Sequence, residues 1–229
     1  MKVDSLVADT PEHKKGENTW NKVKKGGRGQ KRNPNFTVLS RIQIVADVAD
    51  GLDYMLNCVG VKLGFVHTYV KNSSVIVCEK PSFVAKLCHF GAAQLCRSFP
   101  VLKRVGSGLG KFEGTRDYMA SEFRLMGVPT LKSDVFAFGV VVPELLPWEE
   151  PIKVDIDKRS EAFKKVLLIH VAREAVGGGV GRLRQWGDRR LRDSVRVEVV
   201  EGLARMTLEC VQDDTLKKPD IGKASGSSL

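Results

Sequence analysis

Four short motifs occur in a fixed order along the chain, and their order and spacing constrain the fold more than any other feature. They are His-Thr-Tyr at residues 67–69, Cys-His-Phe-Gly at 88–91, Ala-Ser-Glu at 120–122 and Asp-Val-Phe-Ala-Phe-Gly at 134–139. Each motif is too short to be specific by itself. The last one opens a stretch of apolar residues with helical spacing. We therefore expect one domain built around the helix that begins there.

Hydrophobic periodicity predicts a mainly helical domain with a minor two-stranded element. An amphipathic helix is expected from Val38 to about Asn57, and further helices are expected near residues 160–176 and 195–211. Short strands are expected at 75–77 and 84–87, joined by a turn at 80–82. The segment 60–66 is expected to be irregular, and the glycine-containing segment 92–111 is expected to be a long loop.

The ends of the helices are predicted from capping chemistry. Ser133 is a suitable N-cap for the central helix because its hydroxyl can accept a free backbone N–H. Pro147 is expected to end that helix because proline has no amide hydrogen and clashes with the preceding turn. The glycines at 177–179 should close the next helix, and Pro219 can open a last short one.

The four motifs resemble the landmarks of plant receptor-like protein kinases, and in particular those of LysM receptor-like kinases. Residues 67–69 stand where a kinase has His-Arg-Asp, 88–91 where it has x-Asp-Phe-Gly, and 120–122 where it has Ala-Pro-Glu. The resemblance covers about residues 33–221. It implies a protein-kinase-like α+β fold, here mainly the α-helical C-terminal lobe with a small two-stranded element and without the N-terminal lobe.

The resemblance also implies which positions would carry phosphoryl transfer. The family uses a catalytic-loop Asp as base and an Asn and a second Asp as magnesium ligands, and Tyr69, Ser74 and His89 stand at these positions. A phenol is a poor base at neutral pH, a serine hydroxyl is a short and weak ligand, and magnesium prefers oxygen to imidazole nitrogen. No catalytic position is intact, so we expect neither of the family's cofactors, ATP and magnesium, to bind.

Other positions of the family pattern are retained, and the resemblance implies that they hold the fold. His67 and Phe90 should pack together beneath the site, and Asp134 should hydrogen-bond the backbone of the catalytic loop. Glu122 should pair with Lys218, which replaces an Arg and lacks its planar fork of donors. The retained catalytic-loop positions are His67 and Lys71, and the expected scaffold positions are Phe90, Gly91, Glu122, Asp134, Gly139 and Lys218.

Two residues of the second motif have alternative interpretations. His89 could be a metal ligand, but a structural histidine in an altered motif is the favoured interpretation. Cys88 is expected to be a small buried hydrophobic residue and not a reactive thiol. The five cysteines form no Cys-x-x-Cys pair and are typical of reduced thiols, so neither a disulfide framework nor a metal site is expected.

The formal net charge is +10, and residues 14–32 are rich in Lys, Arg and Gly. This segment has too little apolar surface to offset the entropy of ordering. We therefore expect a disordered basic tail at 1–34, a kinase-like domain at 35–222 and a second tail at 223–229. Contact of the basic tail with an anionic membrane surface is an alternative. Nucleic acid is a less favoured partner, because Trp20 is the only aromatic residue of the basic segment.

The location of the chain is predicted from its apolar runs. None of them reaches the roughly 18 residues that a membrane-spanning helix needs, and no signal peptide is recognisable at Met1. The sequence thus predicts a cytoplasmic chain, although the family that it resembles is anchored in the plasma membrane.

Four functions stay open from the sequence. The favoured one is an inactive kinase-like module that binds another protein, such as a receptor kinase. The second is a working Ser/Thr kinase that binds ATP and phosphorylates proteins, so enzymatic activity is undecided. The third is a binder of nucleic acid or an anionic membrane surface through the basic tail, and the fourth is a truncated gene product without function.

Overall fold

The computed structural model describes residues 37–59, 65–78, 83–90, 93–95, 116–145, 161–179, 181 and 196–224. Several sequence-based expectations lie outside these residues: the two tails except for residues 223–224, the turn at 80–82, Gly91, most of the loop at 92–111, and Pro147. Statements about the fold below concern the described residues.

Six helices and four short strands make up the described part of the chain. The helices are α1 (Val38–Asp53), α2 (Ser121–Met126), α3 (Leu131–Leu145), α4 (Glu161–Gly177), α5 (Val197–Cys210) and α6 (Ile221–Ala224). The strands are β1 (Phe65–Val66), β2 (Val75–Cys78), β3 (Val84–Leu87) and β4 (Gln94–Leu95). The expected kinase-like architecture, mainly helical with a small β element, is confirmed.

Helix α3 lies at the centre of the core. Its residues from Ser133 to Leu145 are buried with the single exception of Phe136, as expected of a helix that is apolar on all sides. It packs on α1 and α5, and Ile44, Leu52, Phe138 and Leu203 are among the fully or almost fully buried side chains of this cluster. A second, smaller cluster of alanines and valines joins α4 to α5.

Gly139 allows α3 and α5 to approach closely. A Cβ atom built on Gly139 would lie 2.5 Å from Cβ of Cys210 and 2.9 Å from Cγ1 of Val211. Carbon atoms in contact are ordinarily about 3.5–4.0 Å apart. A glycine is therefore required here by space, whereas its backbone is ordinary helix.

Strands β2 and β3 form an antiparallel pair that rests on α1. Their register places Val75 opposite Leu87 and Cys78 opposite Val84. Helix α1 holds this pair through a side chain, because the Asp47 carboxylate accepts the backbone N–H of Ala85 at 2.7 Å. The hydrogen bond and the buried face of β2 explain how so small a sheet is stable: a two-stranded ribbon needs a helix beneath it.

A second two-stranded pair was not expected from the sequence. Phe65 and Val66 of β1 pair antiparallel with Leu95 and Gln94 of β4. The segment 60–66 is therefore not irregular throughout, and the segment 92–111 is not entirely loop. Strands of two residues carry too little alternation to be recognised from periodicity.

The start of α3 differs from the prediction, because Thr130 and not Ser133 is the N-cap. The Thr130 hydroxyl accepts the Ser133 N–H at 3.1 Å, and the Ser133 hydroxyl accepts the Thr130 N–H at 2.9 Å. This reciprocal pair is a capping box in which Ser takes the place of the usual Glu or Gln. The helix ends at Leu145 and contains Pro143 in its last turn.

The end of α1 is anchored to the C-terminal part of the domain. The helix continues as a π-helical segment, Tyr54–Val59. Within this segment the Asn57 side-chain amide donates to Asp53 at 2.6 Å and to Asp220 at 2.9 Å. The predicted helix from Val38 to about Asn57 is thus confirmed, and its last turn brings α6 against α1.

Candidate functional site

The loop that contains residues 67–69 is held from below by the first turn of α3. Asp134 is buried, and its carboxylate accepts the N–H of His67 at 2.6 Å and the N–H of Thr68 at 3.0 Å. Burial raises the pKa of Asp134 to about 7, while these two donors act in the opposite direction. Asp134 therefore positions the loop and does not face a substrate.

His67 joins the loop to the second motif. Its Nδ1 atom accepts the N–H of Tyr69 at 3.2 Å, so the proton of the neutral ring is on Nε2, which donates to the Cys88 carbonyl at 3.0 Å. The ring also contacts Phe90 edge-on, with centroids 4.9 Å apart. Burial lowers the pKa of His67 to about 4, despite the hydrogen bond to Cys88. This neutral histidine is a structural link between the two loops.

Tyr69 occupies the position of the catalytic Asp, and its side chain is bound by a neighbour. The Lys71 ammonium donates a short hydrogen bond to the Tyr69 hydroxyl and lies 3.8 Å from the centre of its ring. The His89 ring is also close to the Tyr69 ring and tilted relative to it, with centroids 5.9 Å apart. No carboxylate takes part in these contacts, so the position offers a phenol and an ammonium where the family has a base.

Ser74 is turned into the loop. Its hydroxyl is fully buried, accepts the Lys71 N–H at 2.9 Å, and lies 2.7 Å from the Lys71 carbonyl and 2.8 Å from the Tyr69 carbonyl. A serine hydroxyl has one proton and two lone pairs, and these contacts use the proton and one lone pair. Ser74 closes the loop and does not reach outward to a metal.

His89, at the position of the metal-binding Asp, is exposed and has a left-handed backbone with φ of 67°. Thr68 has φ of 63°, and among the described residues these are the two non-glycine positions with positive φ. A β-branched residue rarely adopts this conformation. The catalytic-loop motif is therefore strained at Thr68, beside the site, which is where such strain tends to be kept.

Cys88 differs from the expectation of a buried hydrophobic residue. It is half-buried, and its Sγ atom lies 3.1 Å from Nδ1 of His89. Partial burial raises the pKa of its thiol, so Cys88 holds its proton at neutral pH. The polar neighbour on one side explains why the thiol is not enclosed by the core.

The predicted pair of Glu122 and Lys218 forms in the structure. The Lys218 ammonium donates to Glu122 Oε1 at 2.5 Å, and the side chains are 0% and 14% exposed. The ammonium also lies 5.2 Å from the centre of the Phe136 ring. Lysine makes one contact with the carboxylate where an arginine could make two.

The sequence analysis missed a second buried polar contact near the site. The Tyr118 hydroxyl donates to Glu144 Oε2 at 2.8 Å, and both residues are buried. The sequence did contain a signal for this contact, since Glu144 lies in the otherwise apolar second half of α3. A buried carboxylate needs a hydrogen-bond donor, so a partner for Glu144 could have been expected. This contact fastens the segment before α2 to the core helix.

A cavity of about 10 Å³ lies between the loop and the segment before α2. It is lined by residues that include Thr68, Tyr69, Tyr118, Met119, Phe123 and Asp134. A space of this size holds about one water molecule. It is too small for a nucleotide or a peptide side chain in this conformation.

The surface beside the second motif is partly apolar. Phe90, Ile76 and Val84 are 42%, 37% and 38% exposed. Ile76 lies on β2 and Val84 on β3, and Phe90 follows β3 by three residues. Gly91, the remaining retained residue of this motif, lies outside the described part of the chain.

The described residues contain no group of three or more His, Cys, Asp or Glu side chains placed to hold a metal ion. None of their helices is both long enough and apolar enough to cross a bilayer.

Comparison with protein families decides the membership of the chain. The family model described as the protein kinase domain matches residues 14–180. The chain belongs to the protein kinase family. It is 30% identical over 190 residues to Protein LYK5 of Arabidopsis thaliana and 28% identical over 204 residues to LysM domain receptor-like kinase 3 of the same plant. The expected resemblance to plant receptor-like kinases, including LysM kinases, is confirmed.

These alignments cover most of this chain but little of its relatives. They include 82% and 83% of this chain, and 27% and 29% of the two Arabidopsis proteins. Among solved structures, the chain is similar to the pseudokinase domain of BIR2, an immune regulator of the RLK/Pelle family. That match has a TM-score of 0.56 and 20% identity, and covers 82% of this chain and 50% of the other. It supports the protein kinase fold.

Proposed function

We propose that this chain is a catalytically inactive member of the protein kinase family that acts by binding another protein in receptor-kinase signalling. The observation that carries the proposal is the geometry of three side chains. Tyr69 is bound by Lys71, Ser74 is buried in its own loop, and His89 offers an imidazole on an exposed turn. None of the three is a carboxylate that could act as the base or bind magnesium, and the Ser74 oxygen is buried.

Magnesium and ATP do not fit the residues of this site. A magnesium ion requires about six oxygen ligands, and protein sites usually supply one or two carboxylates. Asp134, whose carboxylate contacts the loop, already accepts two backbone N–H groups on the buried side. We therefore propose that the chain has no metal-dependent nucleotide site.

Two observations support protein binding. Phe90, Ile76 and Val84 expose apolar surface beside the altered site, and exposed apolar patches commonly mark contact sites. The similar solved domain of BIR2 is described as a pseudokinase and an immune regulator. By analogy, we propose a receptor kinase as the partner and the cytoplasmic side of the membrane as the location.

Incorporation of labelled phosphate into a generic protein substrate tests the absence of catalysis. The purified chain should give the same signal as its Lys71→Ala variant, since the base and both magnesium ligands are replaced. Incorporation clearly above that control would overturn the proposal.

A working Ser/Thr kinase is the second candidate, because family membership alone favours it. A nucleotide-binding titration with and without magnesium separates the two. Magnesium-dependent binding of ATP would favour the enzyme. Absence of binding under both conditions would favour the inactive module.

Binding to an anionic membrane surface through residues 14–32 is a third candidate, and it lies outside the described residues. The positive charge of that segment favours it. Vesicles with and without anionic lipid should show a strong, salt-sensitive difference in binding if the segment acts in this way.

A further inference from the structure

We infer that the altered site binds a phosphate group directly, without a metal ion, through Lys71, Tyr69 and His89. The phosphate is either free or carried on a phosphorylated side chain of a partner. This inference rests on the proposed function, because it gives the inactive site a ligand in place of ATP and magnesium. It starts from the charge of the side chains that now occupy the catalytic positions.

The replacements reverse the electrostatic character of the site. Where the family has two Asp and one Asn, this chain has Tyr69, His89 and Ser74. The serine points inward. The groups that are left near the surface are a phenol, an imidazole and the Lys71 ammonium, and no carboxylate of the described residues forms an ion pair with Lys71. Such a set attracts an anion and repels a divalent cation.

A count of hydrogen-bond donors leads to the same ligand. An ammonium has three protons and no lone pair, so the Tyr69 oxygen must be the acceptor in its contact with Lys71. The Tyr69 proton and two protons of Lys71 are left to donate elsewhere. Three donor protons on two side chains that touch each other suit a phosphate, whose oxygens are strong acceptors.

The His89 ring lies near that of Tyr69 and carries a further possible donor. Its Nδ1 atom lies 3.1 Å from the Cys88 sulfur. The Cys88 thiol keeps its proton because burial raises its pKa, and it can therefore donate to Nδ1. With Nδ1 as acceptor, Nε2 is the ring nitrogen that carries a proton. His89 has a left-handed backbone with φ of 67°, and its ring centroid lies 5.9 Å from that of Tyr69.

The competing negative charge lies below the loop. Both oxygens of Asp134 accept backbone N–H groups of His67 and Thr68. These bonds fix the carboxylate on the buried side, beneath the backbone that carries Tyr69. The Asp134 carboxylate is therefore occupied by the backbone of the loop.

Calorimetric titration of the intact chain with inorganic phosphate, in the presence of a chelator, tests the inference. A phosphoserine peptide and its unphosphorylated form are the second and third ligands. We expect inorganic phosphate to bind without magnesium. If the natural ligand is a phosphorylated partner, the phosphopeptide should also bind and its unphosphorylated form should not. Binding of free phosphate alone would still support the site and identify the source as the free ion.

Three variants determine where the ligand binds. Lys71→Met removes the ammonium, and Tyr69→Phe removes one hydroxyl while keeping the ring. The matched control is Lys86→Met, which removes an equal charge from an exposed position on β3. Loss of a charged hydrogen bond should weaken phosphate binding roughly tenfold or more for Lys71→Met. A smaller loss is expected for Tyr69→Phe, and none for Lys86→Met.

Phosphate binding that is absent, that needs magnesium, or that falls equally in Lys86→Met would rule out the site. Thermal melts of each variant without ligand establish whether it is folded. If Lys71→Met does not fold, the conservative variant Tyr69→Phe still tests the site. The assay measures binding and not phosphate transfer, so its failure leaves the proposed inactivity to be decided by the labelled-phosphate experiment.

Discussion

The Asp134 carboxylate accepts the backbone N–H of His67 at 2.6 Å, across 67 residues of sequence. A second bond to the N–H of Thr68, at 3.0 Å, uses its other oxygen. Thr68 has the left-handed backbone that a β-branched residue seldom adopts. Asp134 therefore stabilises an unfavourable loop conformation, and the loop in turn satisfies the buried carboxylate.

Replacing Asp134 should destabilise the fold strongly. In Asp134→Asn one carboxylate oxygen becomes an NH₂ group that faces a backbone N–H, so one of the two backbone donors loses its acceptor and the other bonds to a neutral oxygen. A loss of about 2–4 kcal/mol in the free energy of unfolding is expected from one lost charged hydrogen bond and one unsatisfied buried group. Urea unfolding measures it. The control Asp50→Asn, on the exposed side of α1, should change stability by less than about 0.5 kcal/mol.

His67 should make stability depend on pH in the acidic range. Its pKa is lowered to about 4 in the folded protein, from 6.5, because burial disfavours the charged ring. The contribution of His67 is therefore complete above about pH 6.5 and is lost as the pH falls through about 4. The pH dependence of the Asp134 contribution to stability has the opposite sign. Its pKa is raised in the folded protein, so Asp134 favours the fold at low pH.

Comparison with His67→Gln isolates the histidine, since Asp134 is present in both proteins. The stability difference between wild type and variant should shrink by about 3 kcal/mol on going from neutral pH to about pH 4. Urea unfolding at several pH values measures this difference. A difference that stays constant over that range would show that His67 is not buried in its neutral form.

Much of this fold could be predicted because its landmarks are local or tied to motifs. The helix from Val38 and the strands that begin at Val75 and Val84 follow from hydrophobic spacing, and the structure contains all three. The contact of His67 with Phe90 followed from the family pattern. These features need only a period or a motif, both of which are visible in one sequence.

The features that escaped prediction depend on backbone angles and side-chain directions. The capping pair of Thr130 and Ser133 uses a serine where the usual pattern has Glu or Gln. The inward direction of Ser74 follows from the turn of its loop. The contact of Lys71 with Tyr69 depends on rotamers. None of these properties has a periodic signal in the sequence.

Gly139 provides a test of the packing between α3 and α5. Gly139→Ala would place a methyl group 2.5 Å from Cβ of Cys210, which forces the helices apart. Overpacking of this kind typically costs about 1–3 kcal/mol. Gly51→Ala, within α1 and with no atom within 4 Å of the added carbon, should stabilise the protein by roughly 0.4–1 kcal/mol. Thermal unfolding of both variants should therefore shift in opposite directions, and a stabilised Gly139→Ala would contradict the close approach.

The pair of Glu122 and Lys218 should contribute far more than its exposed neighbour. Lys218→Met leaves the Glu122 carboxylate, which is 14% exposed, without its cation, and also removes the contact with Phe136. Breaking a buried ion pair in this way typically costs about 3–5 kcal/mol. The adjacent Lys217 pairs with Asp214 at 3.7 Å, where the side chains are 72% and 48% exposed, and such pairs contribute about 0–1 kcal/mol. Lys217→Met is therefore the matched control.

A double-mutant cycle measures the buried interaction directly. The variants are Lys218→Met, Glu122→Gln and the two together, each followed by urea unfolding. The double variant should be more stable than the sum of the single losses predicts, because neither partner is then left as an unpaired buried charge. Additive losses, or a Lys218→Met variant no less stable than Lys217→Met, would mean that the 2.5 Å contact does not hold α2 to the segment before α6. Lys218→Arg extends the test, since the two donors of an arginine fork would suit the same carboxylate only if the site has room for it.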